Sequence, residues 1–134
     1  MLIRYTATAS FRKVDKIVAA PVGVLDQLMA TLAERKANPS EKSYTSKLLA
    51  GGVSKIGSKI TEEAAEVVEA AGEPGEAGRT HFVYECADLI YHLFVMMVQR
   101  EVPLAEVEAE LARRFNMSGL AEKAARTQPP ASSP

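Results

Sequence analysis

Tryptophan is absent from this 134-residue chain, aromatic residues make up 6% of it, and cysteine occurs once. With Cys86 alone no intramolecular disulfide can form, so the fold must rest on a packed core, and a reducing cytoplasm is the expected setting. Net charge is missing too: sixteen Lys and Arg stand against seventeen Asp and Glu. No overall field therefore draws in DNA, RNA or an anionic membrane, and neither nucleic acid nor membrane is expected as a partner. Nothing at the N-terminus reads as a signal peptide. A clean membrane span is lacking as well, because the most apolar stretch, residues 82–98, contains Glu85, Asp88 and His92, three polar groups that hydrocarbon would penalise.

What is present is helical pattern. At 47% hydrophobic content the chain fits one domain, made more secure if an oligomer shares the core. Residues 1–20 form an extension of unassigned role, with "MLIRYTATAS" alternating like a short strand. From Pro21, Leu25, Leu28, Met29 and Leu32 recur at helical spacing, which predicts a first helix to about Ala37. "NPSEK" is a loop, and "SYTSKLLAGG" has a serine start and a double-glycine stop around one or two turns. A long helix is predicted from Val53 to Ala71. A third, capped at Thr80, runs to Arg100, and a fourth opens at Pro103 with Leu104, Val107, Leu111 and Phe115 on its buried side. The helical domain spans 21–118, and the tail 119–134 has the composition of disorder. The fold class is all-α: a four- to five-helix bundle. The third helix is apolar almost all round, so other helices should cover every side of it, which a homodimer would achieve.

The acids break this pattern. In "KITEEAAEVVEA", Glu62 and Glu66 lie about 40° apart and Glu63 and Glu66 about 60° apart. In "YECADLIYH", Glu85 and Asp88 lie about 60° apart, on a stripe with His81 and His92. A Glu-rich helix is often a solvated face with pairs such as Lys59 to Glu63. The second pair, set among Phe, Val, Leu and Ile, argues otherwise, because buried carboxylates must be protonated, paired or metal-bound. If the two helices pack antiparallel, four carboxylates converge, and all-oxygen ligation favours Mg2+, with Mn2+ as substitute. A di-iron site would want Glu-x-x-His, which neither motif has.

"EExxE" followed after 18 residues by "ExxD" resembles the metal-binding signature of the MazG-type all-α nucleoside triphosphate pyrophosphatases. More narrowly, "ERKANPSEKSYTSKLLAGGVSKIGSKITEEAAEVVEAA" and "ECADLIYHLFVMM" resemble phosphoribosyl-ATP pyrophosphatase, the second-step enzyme of histidine biosynthesis, over residues 22–115. The resemblance implies a helical, dimeric hydrolase that converts phosphoribosyl-ATP to phosphoribosyl-AMP and pyrophosphate. It implies that Glu63, Glu66, Glu85 and Asp88 bind Mg2+, with Glu62 beside them as an orienting group or water-activating base.

Such a polyanionic nucleotide substrate needs donors. Lys55 and Lys59 share the Glu62/Glu66 stripe, while Arg35, Lys36, Ser43, Tyr44, Thr45 and Lys47 form a second set near the short element. The bland alternatives are ion pairing for the lysines and helix capping for Ser43. No glycine-rich P-loop is present. His92 reads as a phosphate contact, proton carrier or satisfied core histidine. Tyr91 reads as packing, and His81 as a cap or solvent-facing group. Two other functions fit the pattern: clearance of dNTPs or damaged nucleotides by the same metal chemistry, and a non-enzymatic helical dimer that binds a partner.

Overall fold

The computed structural model describes residues 22–115 and 119–127. The strand-like stretch 1–10 and the expected helix start at Pro21 lie outside the described residues. Helix α1, Val24–Ala37, follows Gly23, and the Gln27 side chain reaches back to the Val22 carbonyl at 2.8 Å to tie down its entry. It ends at Asn38, where the following Pro39 disfavours helical backbone.

Helix α2, Tyr44–Ala71, unites the two elements expected on either side of the glycines. Ser43 caps it, its hydroxyl accepting from the Ser46 amide at 3.2 Å. The expected stop survives as a kink: Gly52 adopts φ 71°, ψ −167°, a region essentially closed to side chains. Only one residue leaves helical geometry, so the chain bends and resumes without a loop.

Helix α3, Gly75–Gln99, begins five residues before Thr80, because Pro74 already supplies the extended residue at its start. By length and composition α3 could cross a membrane, yet it carries Glu85, Asp88 and His92 within its span. Helix α4, Leu104–Arg114, follows Pro103 as expected. Helix α5, Gly119–Thr127, occupies the first part of the segment whose composition suggested disorder; residues 128–134 lie outside the described residues.

Helices α2 and α3 form the main pairing, and α1 lies against both. The core joins Leu32 of α1, Leu48 and Ile56 of α2, and Phe94, Val95, Met97 and Val98 of α3. Lys36 ties the end of α1 to the end of α3, donating to the Val98 carbonyl at 3.1 Å. Apolar packing thus gathers at the C-terminal half of α3. The other end of the α2–α3 pair is left for polar groups.

The expectation of a buried side on α4 is corrected for the single chain, whereas the cover expected for α3 was to come from a second copy. On α3, Phe82, Val83, Ile90 and Leu93 are exposed, within a sector about 100° wide by helical arithmetic. On α4, Leu104 is half-buried but Val107, Leu111 and Phe115 are exposed, Phe115 by 83%. Among the described residues no helix lies over these side chains closely enough to bury them.

Gly52 makes a clean test of the kink, because a Cβ there would meet nothing within 4 Å. Gly52→Ala is expected to cost about 1–3 kcal/mol through backbone conformation alone, measured by urea unfolding. A cost near zero would show that α2 can straighten without penalty.

Candidate active site

Antiparallel packing brings the second half of α2 against the first half of α3, and the two acidic stripes face each other. Glu63, Glu66 and Glu85 each offer a carboxylate oxygen, all within 4.8 Å of one another. Glu63 and Glu85 are buried and Glu66 is half-buried. Asp88, one turn beyond Glu85 and half-buried, lies outside this trio, although its charge reaches Glu63. Burial, followed by the hydrogen bond and charge of Glu66, holds the Glu63 carboxyl above the usual carboxylate range. His92 works in the opposite direction.

Two oxygens, Glu63 Oε2 and Glu85 Oε2, are buried without a hydrogen-bond partner. Buried acceptors are costly in that state. An all-oxygen set with unpartnered, mutually repelling carboxylates suits a hard divalent cation, so the residues present fit the metal expected from the motifs.

The surrounding groups are held in a network. The carbonyl of Asp88 can only accept, so His92 Nδ1 donates to it at 2.8 Å, and Nε2 shares a hydrogen bond with the Tyr44 hydroxyl at 2.9 Å. The buried ring also brings Nδ1 to 3.9 Å from Glu63 Oε1. Tyr44 stacks on Tyr91 at 6.4 Å between centroids, and burial raises the phenol of Tyr44 above its ordinary range. Tyr91, expected as packing, is half-buried but shares a hydrogen bond with the hydroxyl of buried Thr45. Arg35 Nη1 donates to that hydroxyl at 3.2 Å.

Of the expected phosphate donors, Lys59 stands closest to the acids, 2.8 Å from Glu62 and 3.6 Å from Glu63. Lys47 and Lys55 are exposed. Lys36 is drawn away to Val98 and Glu101 at the end of α3, and Ser43 is engaged as a cap. His81 neither caps nor simply faces solvent. Its Nε2 lies 3.0 Å from Glu85 Oε1, and its Nδ1 lies 3.0 and 2.9 Å from the two oxygens of Glu73. Hydrogen bonding to Glu73, more than to Glu85, raises the pKa of His81. The His81–Glu85 spacing of four was visible in the sequence; the arrival of Glu73 from the turn was not. An apolar recess of about 640 Å³ between α1 and the start of α4, lined by Met29, Ala33 and Leu104, includes none of these groups.

This geometry is carried by a recognisable domain. Residues 25–115 match the family model described as Phosphoribosyl-ATP pyrophosphohydrolase. The chain belongs to that family. The phosphoribosyl-ATP pyrophosphatase of Rhodopirellula baltica is 59% identical over 102 residues, covering 76% of this chain and 85% of that protein. Similar proteins of the same name from Novosphingobium aromaticivorans, 50% identical over 105 residues, and Geotalea daltonii, 47% over 103, are each covered to 94% of their length, by 78% and 77% of this chain. The match to the phosphoribosyl-ATP pyrophosphohydrolase family runs from α1 to the end of α4, and contains every carboxylate of the cluster.

The raised Glu63 gives a signed expectation for the metal-free protein. A carboxyl whose folded pKa lies above its unfolded value weakens the fold once ionised; the penalty is absent below the unfolded pKa and full above the folded one. Glu63→Gln is therefore expected to raise the melting temperature at pH 8 in EDTA, with the gain shrinking as pH falls toward 4. A pH-independent difference would assign the effect to packing.

Proposed function

We propose that the chain hydrolyses phosphoribosyl-ATP to phosphoribosyl-AMP and pyrophosphate with Mg2+ at the α2–α3 carboxylates, as a cytoplasmic homodimer without nucleic-acid or membrane partners. Family membership supports the reaction. The observation that carries the chemistry is the trio of carboxylates within 4.8 Å, with two buried oxygens unpartnered. Glu63, Glu66 and Glu85 hold the cation, and Asp88 adds its carboxylate from the next turn of α3. The cation supplies neutralisation of charge on the phosphate oxygens.

The remaining work falls to the chain's own side chains. Glu62, exposed and held by Lys59 at 2.8 Å, orients the water whose oxygen attacks phosphorus and takes up the proton that water sheds, while the α–β bridging bond breaks and pyrophosphate departs. Lys59 and Lys55 face the polyphosphate from α2. Arg35, Thr45 and Tyr44 present a guanidinium and hydroxyls from the α1–α2 side, and Lys47 stands at the start of α2. His92, fixed between Tyr44 and the Asp88 carbonyl, holds its ring against Glu63. Lys36 and Ser43 leave the donor set, because the fold already uses them.

The exposed sector of Phe82, Val83, Ile90 and Leu93 supports the homodimer: four large apolar groups on one helix face are the kind of patch a second copy covers. Leu93→Asp is expected to convert the dimer to a monomer in size-exclusion chromatography with light scattering. A parent protein that is already a stable dilute monomer would exclude this assembly.

The deciding assay is pyrophosphate release from phosphoribosyl-ATP, beside ATP and a dNTP panel, with Mg2+ and with EDTA. Turnover is expected for phosphoribosyl-ATP with Mg2+ only. Turnover of dNTPs instead would move the function to nucleotide clearance, and silence on every substrate would return the acids to scaffold. Glu63→Ala and Asp88→Ala are expected to lower turnover by at least about a hundredfold, on the order lost when an electrostatic group is removed from a reaction centre, with helical circular dichroism unchanged.

A further inference from the structure

The cluster has a support whose role the reaction chemistry leaves open. Glu85 presents two oxygens in different surroundings: Oε1 lies 3.0 Å from His81 Nε2, whereas Oε2 is buried and unpartnered. A terminal carboxylate torsion is broad and nearly two-fold, so nothing in Glu85 itself decides how its plane sits. The partner on one oxygen decides it.

His81 would be a poor anchor if its ring could swivel. It is half-exposed, with 43% of its side chain open, and no core packing can hold it in place. Glu73 does so instead, with both carboxylate oxygens within 3.0 Å of Nδ1. Glu73 is in turn fixed by the tight α2–α3 turn, where its amide donates to the Ala70 carbonyl at 3.1 Å. Gly78 of α3 lies against it so closely that a Cβ there would fall 2.4 Å from the Glu73 carbonyl oxygen. The chain of contacts runs from turn backbone to Glu73, to imidazole, to Glu85, and ends at the cluster.

We propose that His81, clamped by Glu73, is a positioning residue that holds Glu85 Oε1 and so aims Oε2 into the carboxylate cluster, toward the cation. The inference rests on the cation reading of the cluster and adds to it a residue outside the acidic motifs. A surface ion pair of no consequence would make the same contacts with Glu73. It would not change how the cluster binds metal, and that difference is measurable.

The experiment is Mn2+ binding to the full chain, followed by electron paramagnetic resonance of the free ion, for the parent, His81→Ala, His81→Gln and Glu73→Ala. Loss of a group that orients a metal ligand typically weakens affinity 10- to 100-fold. His81→Ala is expected to raise the Mn2+ dissociation constant by about tenfold or more. His81→Gln, which keeps an N–H donor for Glu85, recovers most of the affinity, and Glu73→Ala falls between. At saturating Mn2+ the loss in kcat is smaller than the loss in affinity, and circular dichroism matches the parent throughout. A His81→Ala dissociation constant within twofold of the parent overturns the positioning role and leaves the cation reading standing. A parent that binds no Mn2+ overturns the cation reading, and this inference with it.

Discussion

Mutual repulsion among carboxylates held close together in a poorly hydrated place is the constraint around which this structure is arranged. Glu63, Glu66 and Glu85 bring oxygens within 4.8 Å of one another, and no helix surface would adopt that spacing for stability alone. The apolar packing must therefore hold the helices where their charges oppose it. It does so from a distance: the buried cluster of Leu32, Leu48, Ile56, Phe94, Val95, Met97 and Val98 lies toward the far end of α3. Stability is concentrated at one end of the helix pair and electrostatic cost at the other, as expected where function rather than folding selects the residues.

Each carboxylate has a different neighbour, and this makes the site asymmetric. Glu63 faces Lys59 and the His92 ring, while Glu85 faces His81. Glu66 approaches Glu63 itself. Tyr44, Thr45 and Tyr91 extend the network toward Arg35 of α1, so the first helix contributes both to the core and to the edge of the site. The site thus sets cationic and hydroxyl groups, Lys59, Arg35, Thr45 and Tyr44, beside the carboxylate cluster.

Much of this was legible from residue spacing. Helical periodicity marks the four main helices, and the angle between Glu85 and Asp88 on an apolar helix marks an acidic stripe of which Glu85 is buried and Asp88 half-buried. What stayed hidden depended on position in space. Glycine pairs signal a stop, but only coordinates distinguish a loop from the one-residue kink at Gly52. Tyr91 pointed off the acidic stripe on a helical wheel, yet Thr45 of another helix gave its hydroxyl a partner. Lys36 and Arg35 are adjacent in sequence and equally basic, and they face different partners because consecutive helical residues diverge by about 100°. Apolar periodicity marks a face that wants cover without naming what covers it, hence the open side chains of α3 and α4 in the single chain.

The turn between α2 and α3 is only three residues long, from Gly72 to Glu73 to Pro74. It therefore acts as a ruler between the two acidic motifs. Inserting one residue into either helix between turn and motif would rotate the acids beyond it by about 100° and shift them about 1.5 Å along the axis, carrying one stripe out of register with the other. Loops elsewhere can lengthen at modest entropic cost. Here the separation of "EExxE" from "ExxD" is set by geometry, and descendants of this chain should vary in the composition of that interval far more readily than in its length.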